Sequence, residues 1–186
     1  MAKSLYEAFA EVKDTRNSSG LRHPLQPFLT MVTLGIMSGR NAYQELAKFF
    51  KGNQKELVEL FNLKHGVPGY TQTRTILRDI DYDSLCKAFT GWALQFIPLE
   101  EGDWVSGDGK GLNSTVTNCH NSKQNFISMV SFFAQKTGTV LAVKRYENGK
   151  AAEMTMLQDL LSQLKGKGVI ITLDALHCQK KQLPPS

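Results

Sequence analysis

The sequence predicts an α+β protein, in which a bundle of helices precedes a smaller domain built around a sheet. Up to about Ile97, apolar residues recur every three to four positions, which is typical of amphipathic helices. After residues 98–102 the apolar residues instead form short runs rich in β-branched and aromatic side chains, which is typical of strands. We therefore predict two domains, residues 1–98 and residues 99–186.

The first domain is predicted to contain five or six short helices, because turn-forming residues interrupt the helical pattern. Its longest apolar-rich stretch, Leu25–Met37, is shorter than the roughly 18 residues that a membrane span needs. We interpret this stretch as a buried helix, and we expect no membrane partner. The interruptions lie at residues 17–20, 38–39, 51–53 and 65–69.

The second domain is predicted to begin with a three-stranded meander. Its strands are expected to be a short one at Trp104 and Val105 and two longer ones at residues 126–134 and 139–146. Residues 151–164 carry a leucine-rich helical stripe, and residues 169–173 form a nearly all-apolar run. Such a run is expected of a parallel strand buried on both faces of a sheet. Three strands, a helix and a parallel strand make up the first half of a ribonuclease-H-like α/β domain.

Two aspartates fall at the ends of neighbouring strands in this predicted sheet. Asp108 lies in a Gly-Asp-Gly-Lys sequence at the first strand, and Asp174 directly follows the buried strand at residues 169–173. The first and fourth strands of a ribonuclease-H-like sheet are neighbours, so we expect the two carboxylates side by side. Paired carboxylates can share divalent metal ions, which phosphodiester cleavage uses to activate one oxygen and stabilise the other.

Simpler interpretations of these residues stay open. An Asp-Gly pair at Asp108 is a common turn signal, and Asp174 is also a suitable cap for a following helix. Lys110 is either a phosphate contact or a solvated side chain. Arg74 and Arg78 follow a Gly-Val-Pro turn, and their spacing presents basic groups either to DNA phosphates or only to solvent.

Composition permits a nucleic-acid partner without requiring one. Lysine and arginine number 22 against 17 acidic residues, which gives a net charge of +5 and a pI of about 9.1. The three cysteines are an odd number at wide spacings, which fits neither a disulfide framework nor a structural zinc site. The N-terminus lacks the apolar segment of a signal peptide, so the expected location is the cytoplasm.

Three successive blocks of the second domain resemble the DDE-type transposases of the H-repeat-associated insertion-sequence family. The third block is the most specific, because Asp-Ala followed by Cys-Gln after a buried strand is rare by chance. The blocks are Gly107-Asp108-Gly-Lys110, Lys150-Ala-Ala-Glu153 and Thr172-Leu-Asp174-Ala-Leu-His-Cys178-Gln179. The first domain is similar to the associated N-terminal domain of that family at Asp14-Thr-Arg16, Arg22-His-Pro24-Leu25 and Gly66-Val-Pro68-Gly-Tyr70.

The resemblance implies that Asp108 and Asp174 are the first two acids of an Asp-Asp-Glu triad. In the intact family this triad holds Mg²⁺ or Mn²⁺, and the third acid lies on a helix some distance beyond Asp174. The sequence given ends at Ser186, after a Pro184-Pro185 pair that would end a helix. We therefore expect a truncated catalytic domain that lacks the third acid and binds the metal incompletely.

Three functions follow from these observations. The first is that of a transposase that cuts and joins DNA at insertion-sequence ends, here as an inactive copy near the bacterial nucleoid. The alternative is a non-catalytic DNA-binding or oligomerising fragment, which forms homo-oligomers or associates with an intact transposase and interferes with it. The third, a stand-alone ribonuclease-H-like nuclease, is disfavoured by the missing acid.

Overall fold

In the computed structural model of the protein, the structure describes residues 2–19, 21–96, 99–117, 125–147 and 168–173. The chain divides into two compact units, Met1–Trp92 and Ala93–Ser186, which we call the helical unit and the strand unit. The described residues contain helices and a four-stranded mixed sheet, which confirms the α+β class. The predicted domain boundary between residues 98 and 99 stays a prediction.

Six helices are described, which confirms the predicted five or six. The helix predicted at Leu25–Met37 is confirmed with the same bounds, but it is buried only in part, because Ile36 and Met37 near its end are exposed. No helix in the described parts of the chain has the length and apolar character that crossing a membrane requires. The helices are α1 Leu5–Phe9, α2 Leu25–Met37, α3 Tyr43–Gly52, α4 Gln54–Phe61, α5 Tyr70–Arg78 and α6 Tyr82–Ala93.

Local chemistry explains where several helices begin and end. The Ser4 hydroxyl accepts a hydrogen bond from the Glu7 backbone N–H, and the Glu7 carboxylate accepts one from the Ser4 N–H at 2.7 Å. This reciprocal capping satisfies donors that have no partner inside α1. Farther along the chain, Asn62 ends α4 in the left-handed conformation, with φ at 49°. Asparagine tolerates that conformation better than most residues.

The helical unit is held together by an aromatic pair between α2 and α3. Phe28 and Phe50 are fully buried, and their rings meet edge to face with centroids 6.3 Å apart. This is a favourable geometry for two rings. Around the pair lies one continuous core that includes Met31, Leu46 and Ile76.

The sheet of the strand unit has the strand order β3-β2-β1-β4. Its first three strands are antiparallel neighbours, as the predicted meander requires, and β4 pairs with β1 in parallel. The turn between β2 and β3 contains Gly138 at a φ of 66°, which glycine adopts without steric cost. The strands are β1 Trp104–Thr117, β2 Asn125–Ala134, β3 Thr139–Glu147 and β4 Ile170–Leu173.

Two details of the strand prediction are wrong. The first strand is not short, because β1 runs on to Thr117 and stays paired with β2 through the Gly-Asp-Gly-Lys sequence. The fourth strand is not buried on both faces, because Ile170 is 43% exposed and Ile171 is only half-buried. The reason is its place in the sheet, since β4 ends the order of the strands that the structure describes. The helix predicted at residues 151–164 lies outside the described residues.

We predict that Phe50→Ala lowers the free energy of unfolding by about 3–5 kcal/mol, because the substitution leaves a cavity against Phe28 in a core that is fully closed. Urea denaturation followed by circular dichroism at 222 nm measures this loss. Leu60→Ala is the control, because Leu60 is 68% exposed on the neighbouring helix and its loss should change stability by only ~0.5 kcal/mol. Equal destabilisation by both changes would contradict the packing described for Phe50.

Candidate functional site

The parallel pairing of β1 with β4 brings together two segments that are far apart in the sequence. Gly107 lies opposite Leu173 at the last described step of this pairing. In the sequence these residues immediately precede Asp108 and Asp174, the two acids predicted to form a site. Asp174 itself lies outside the described residues, so the side-by-side placement of the two carboxylates stays a prediction.

A line of polar side chains crosses the sheet next to this position. The Ser106 and Thr172 hydroxyl oxygens are 3.0 Å apart, on paired residues of β1 and β4. The Gln135 side-chain amide donates to the Ser106 hydroxyl at 2.7 Å. Either hydroxyl can be the donor in the Ser106–Thr172 bond, and the Thr172 hydroxyl also lies 3.5 Å from the Val105 carbonyl, to which it can donate. These bonds link β1 and β4 by side chains as well as by backbone.

Asp108 lies inside β1, where it is paired with Ser131 of β2. Its Asp-Gly pair is therefore not a turn, and the turn interpretation is wrong at this position. Asp108 is exposed, whereas Val105 on the opposite face of the same strand is fully buried. Because side chains alternate between the two faces of a strand, burying Val105 leaves Ser106 and Asp108 on the other face.

The described residues contain no group of three or more His, Cys, Asp or Glu side chains that could hold a metal ion. This result does not test the predicted metal pair, because Asp174 is outside the described residues. Asp108 alone supplies one exposed carboxylate, with the hydroxyls of Ser106 and Thr172 on neighbouring positions. Hard oxygen donors of this kind are the ligands that Mg²⁺ and Mn²⁺ prefer.

The three basic residues predicted to contact DNA lie in two places. Lys110 is in β1, opposite Met129, and its side chain is outside the description. Arg74 and Arg78 are both exposed on α5, one helical turn apart. The Arg78 guanidinium binds the Asp79 carboxylate through two hydrogen bonds of 2.6 and 2.9 Å, which hold the pKa of Asp79 below its usual value. Asp79 therefore compensates the positive charge of Arg78 more directly than it compensates that of Arg74.

A pocket in the helical unit, lined by polar and apolar side chains, was not predicted from the sequence. Its volume is about 360 Å³, and it lies between the segment leading into α2 and the first turns of α5. The available signal was the pair of motifs Asp14-Thr-Arg16 and Arg22-His-Pro24-Leu25, to which the sequence alone attached no role. The polar side chains lining it are Arg16, Arg22, His23, Thr71, Gln72 and Thr75.

One arginine fixes the wall of this pocket. The Arg16 guanidinium binds both carboxylate oxygens of Asp14, at 2.8 and 2.7 Å, and also donates to the His23 carbonyl at 3.0 Å. Hydrogen bonding from Arg16 keeps the pKa of Asp14 below its usual value. Because a guanidinium presents its donors in a rigid plane, these bonds fix the segment at Asp14 relative to the segment at His23.

The His23 side chain lies in the wall of the same pocket and is only 9% exposed. Burial lowers the pKa of His23, and the positive charges of His65, Arg16 and Arg22 lower it further, while a backbone hydrogen bond with Gly66 opposes them. Its Nδ1 atom is buried and has no hydrogen-bond partner. An unpaired buried nitrogen is unfavourable by about 1–3 kcal/mol.

We predict that the free energy of unfolding decreases as the pH falls below about 6.5, the usual pKa of histidine. Folding lowers the pKa of His23, so just below this pH the unfolded chain binds more protons than the folded protein. The contribution of His23 to the free energy of unfolding is complete above pH ~6.5, and it is lost as the pH falls towards the lowered pKa of His23. Urea titrations between pH 5 and 7.5 measure the slope. His23→Gln should flatten it, and an unchanged slope in that variant would rule out His23 as its source.

Known proteins that are similar to this chain match it through both the helical unit and the strand unit. Residues 6–93 match the model of the DDE_Tnp_1-associated family. Over 178 residues, or 96% of its length, the chain is 26% identical to the Escherichia coli K12 protein named "Putative transposase YncI". It is 24% identical over the same share to "H repeat-associated putative transposase YhhI" of that strain.

The chain covers a different fraction of the length of each relative. The chain covers 71% of the K12 YncI protein, but 46% of YhhI and 45% of the YncI protein of Escherichia coli O157:H7, to which it is also 26% identical. Similarity therefore extends through both units of the chain and about half of the longer relatives. Residues 6–93 match the DDE_Tnp_1-associated family, and the chain as a whole is similar to proteins named as putative transposases, including an H repeat-associated one.

Proposed function

We propose that this chain is a transposase-like protein of DNA transposition, whose strand unit is the first part of a ribonuclease-H-like catalytic domain. Its substrate would be the DNA at the ends of an insertion sequence. Asp108 and Asp174 would be its first two metal-binding acids. The proposal rests on the similarity to transposase-named proteins along 96% of the chain and on one structural observation.

The observation that supports this function most is the register between β1 and β4. Gly107 pairs with Leu173 in parallel, and each is followed in sequence by one of the two acids. A parallel pairing in this register carries successive residues of both strands forward together. If both strands continue for one more residue, the carboxylates of Asp108 and Asp174 are neighbours on adjacent strands.

Two acids in that position would hold a divalent metal ion with oxygen ligands, as the chemistry of Asp108 and its neighbouring hydroxyls permits. A bound metal ion would polarise a phosphodiester and help to stabilise the charge that develops during its cleavage. The role of the chain's own residues is to orient: the Gln135–Ser106–Thr172 hydrogen bonds hold β1 against β4 beside Asp108. Lys110, Arg74 and Arg78 would contact DNA phosphates.

DNA binding without catalysis is a second candidate function, favoured by a specific feature of the helical unit. Arg74 is exposed on α5, and the surrounding domain is the part of the chain that the family model matches. A protein with only this function would bind DNA or an intact transposase and need no metal ion. Metal binding by the strand unit therefore distinguishes the two functions.

We predict that Asp108→Asn and Asp174→Asn each weaken Mn²⁺ binding by about tenfold or more, because each removes one of the few charged ligands of a hard cation. The loss of the free-Mn²⁺ electron paramagnetic resonance signal on adding protein measures the affinity. Glu101→Gln is the matched control, since it removes an exposed carboxylate of the same unit. Mn²⁺ affinity that is the same in all four proteins would argue against the two-acid site.

We predict that a polypeptide of residues 1–186 neither cuts nor joins DNA on its own. The resemblance expects the third acid beyond Asp174, and residues 175–186 contain no Asp or Glu. Without the third acid, the site should lose a metal ion that stabilises charge in the transition state. This loss raises the activation free energy by several kcal/mol. The assay is incubation with Mg²⁺ or Mn²⁺ and DNA carrying the ends of a related element. Metal-dependent cleavage that disappears in Asp108→Ala would contradict this prediction.

We predict that DNA binding by the chain is dominated by phosphate contacts and depends steeply on salt. The net charge of +5 is modest, and each neutralised phosphate contributes a slope of about −0.9 to the plot of log affinity against log salt. Fluorescence anisotropy at several salt concentrations measures this slope on two unrelated duplexes. Tight binding to one sequence that does not change with salt would contradict the prediction.

A further inference from the structure

We propose that the pocket between the segment leading into α2 and the first turns of α5 binds a phosphate group of the DNA backbone. This inference rests on the proposed function, because DNA is the source of the phosphate. It assigns a ligand to Arg16 and Arg22, which neither the sequence motifs nor the two-acid site explains. It also gives the helical unit a defined contact with the partner.

The charge of the pocket favours an anion. Arg16, Arg22 and His23 line it, and none of its lining residues is acidic. Arg16 is partly balanced by Asp14, which fixes its position. Arg22 is exposed, and no residue that the structure describes forms an ion pair with its guanidinium. The pocket therefore contains one oriented guanidinium and one that is available to a ligand.

The start of α5 provides backbone donors on the other side. Thr71 and Gln72 line the pocket from the first turn of this nine-residue helix. The helix begins after Gly69, and no side chain caps it. The first N–H groups of a helix have no partner inside the helix, and together with the helix dipole they favour a bound anion.

The His23 ring forms part of the pocket wall. This side chain is more than nine-tenths buried and lines the pocket, and its Nδ1 atom has no hydrogen-bond partner. Polar atoms that are buried in folded proteins are nearly always hydrogen-bonded. Because the pKa of His23 is lowered and its other ring nitrogen bonds the Gly66 backbone, Nδ1 is an acceptor and does not itself bind a phosphate oxygen; the ring instead reports on what enters the pocket.

The exposed side of α5 favours a polymer over a single free phosphate. Thr71 and Thr75 line the pocket, and Arg74 and Arg78 follow at spacings of three and four residues. Residues at these spacings lie along one side of a helix. A DNA strand with one phosphate in the pocket would thus pass basic side chains as it continues along α5. A free phosphate ion would use only the pocket.

Arg22→Gln tests the proposal, with Arg40→Gln as the matched control, because both remove one exposed arginine charge from the helical unit and Arg40 is not among the pocket residues. The affinity for a DNA duplex of about 20 base pairs is measured by fluorescence anisotropy at several salt concentrations. We expect Arg22→Gln to weaken binding at low salt by about tenfold or more, as loss of a charged hydrogen bond should. It should also reduce the salt slope by about 1, and Arg40→Gln should change neither quantity beyond its general charge effect.

A second measurement does not depend on DNA. Inorganic phosphate is titrated into the full chain while the nuclear magnetic resonance signals of the His23 ring are followed. Signals that move and saturate in the wild-type protein, and that do not move in Arg22→Gln, support a phosphate in the pocket.

The outcomes separate this inference from the proposed function. DNA binding that Arg22→Gln and Arg40→Gln weaken equally would overturn the pocket contact and leave the DNA partner intact. If wild-type protein binds no DNA, the DNA partner of the proposed function is lost. In that case a response of His23 to phosphate alone would make free phosphate the ligand, and the proposal of a DNA phosphate would still be overturned.

Discussion

The candidate catalytic region depends on one constraint, the parallel pairing of β4 with β1. This pairing sets Trp104–Gly107 alongside Ile170–Leu173, two segments that lie far apart in the sequence. It sets Gly107 opposite Leu173, and the two acids of the proposed site follow these residues in the sequence. The hydroxyls of Ser106 and Thr172 reinforce this register one step earlier.

The packing of the sheet and the exposure of Asp108 have the same origin. Alternation along β1 places the Val105 side chain in the core of the strand unit. Phe132 and Leu141 of the same sheet are also fully buried. The same alternation leaves Ser106 and Asp108 on the opposite face, where Asp108 is exposed. A shift of the register by one residue would reverse both outcomes, so the apolar contacts that stabilise the sheet also keep the carboxylate accessible to a substrate.

The helical unit combines an apolar core with a charged edge. The Phe28–Phe50 pair and its neighbours stabilise the bundle, while the Arg16–Asp14 interaction fixes a polar segment beside α5. Because Asp14 binds Arg16 and Asp79 binds Arg78, the arginines outside such pairs carry more of the uncompensated positive charge. Exposed, partly uncompensated charge of this kind has its greatest effect on encounter with a polyanion and is sensitive to salt.

The sequence by itself determined the α+β class, the α2 helix, the meander and the strand before Asp174, because apolar periodicity and turn residues act locally. It also carried the motifs that associate the chain with transposase-like proteins. The tertiary structure decided that Asp108 lies inside a paired strand and that β4 is partly exposed, because strand pairing and sheet order depend on distant residues. It alone revealed the pocket, since Arg22 and Thr75 are far apart in the sequence and meet only when the helices pack.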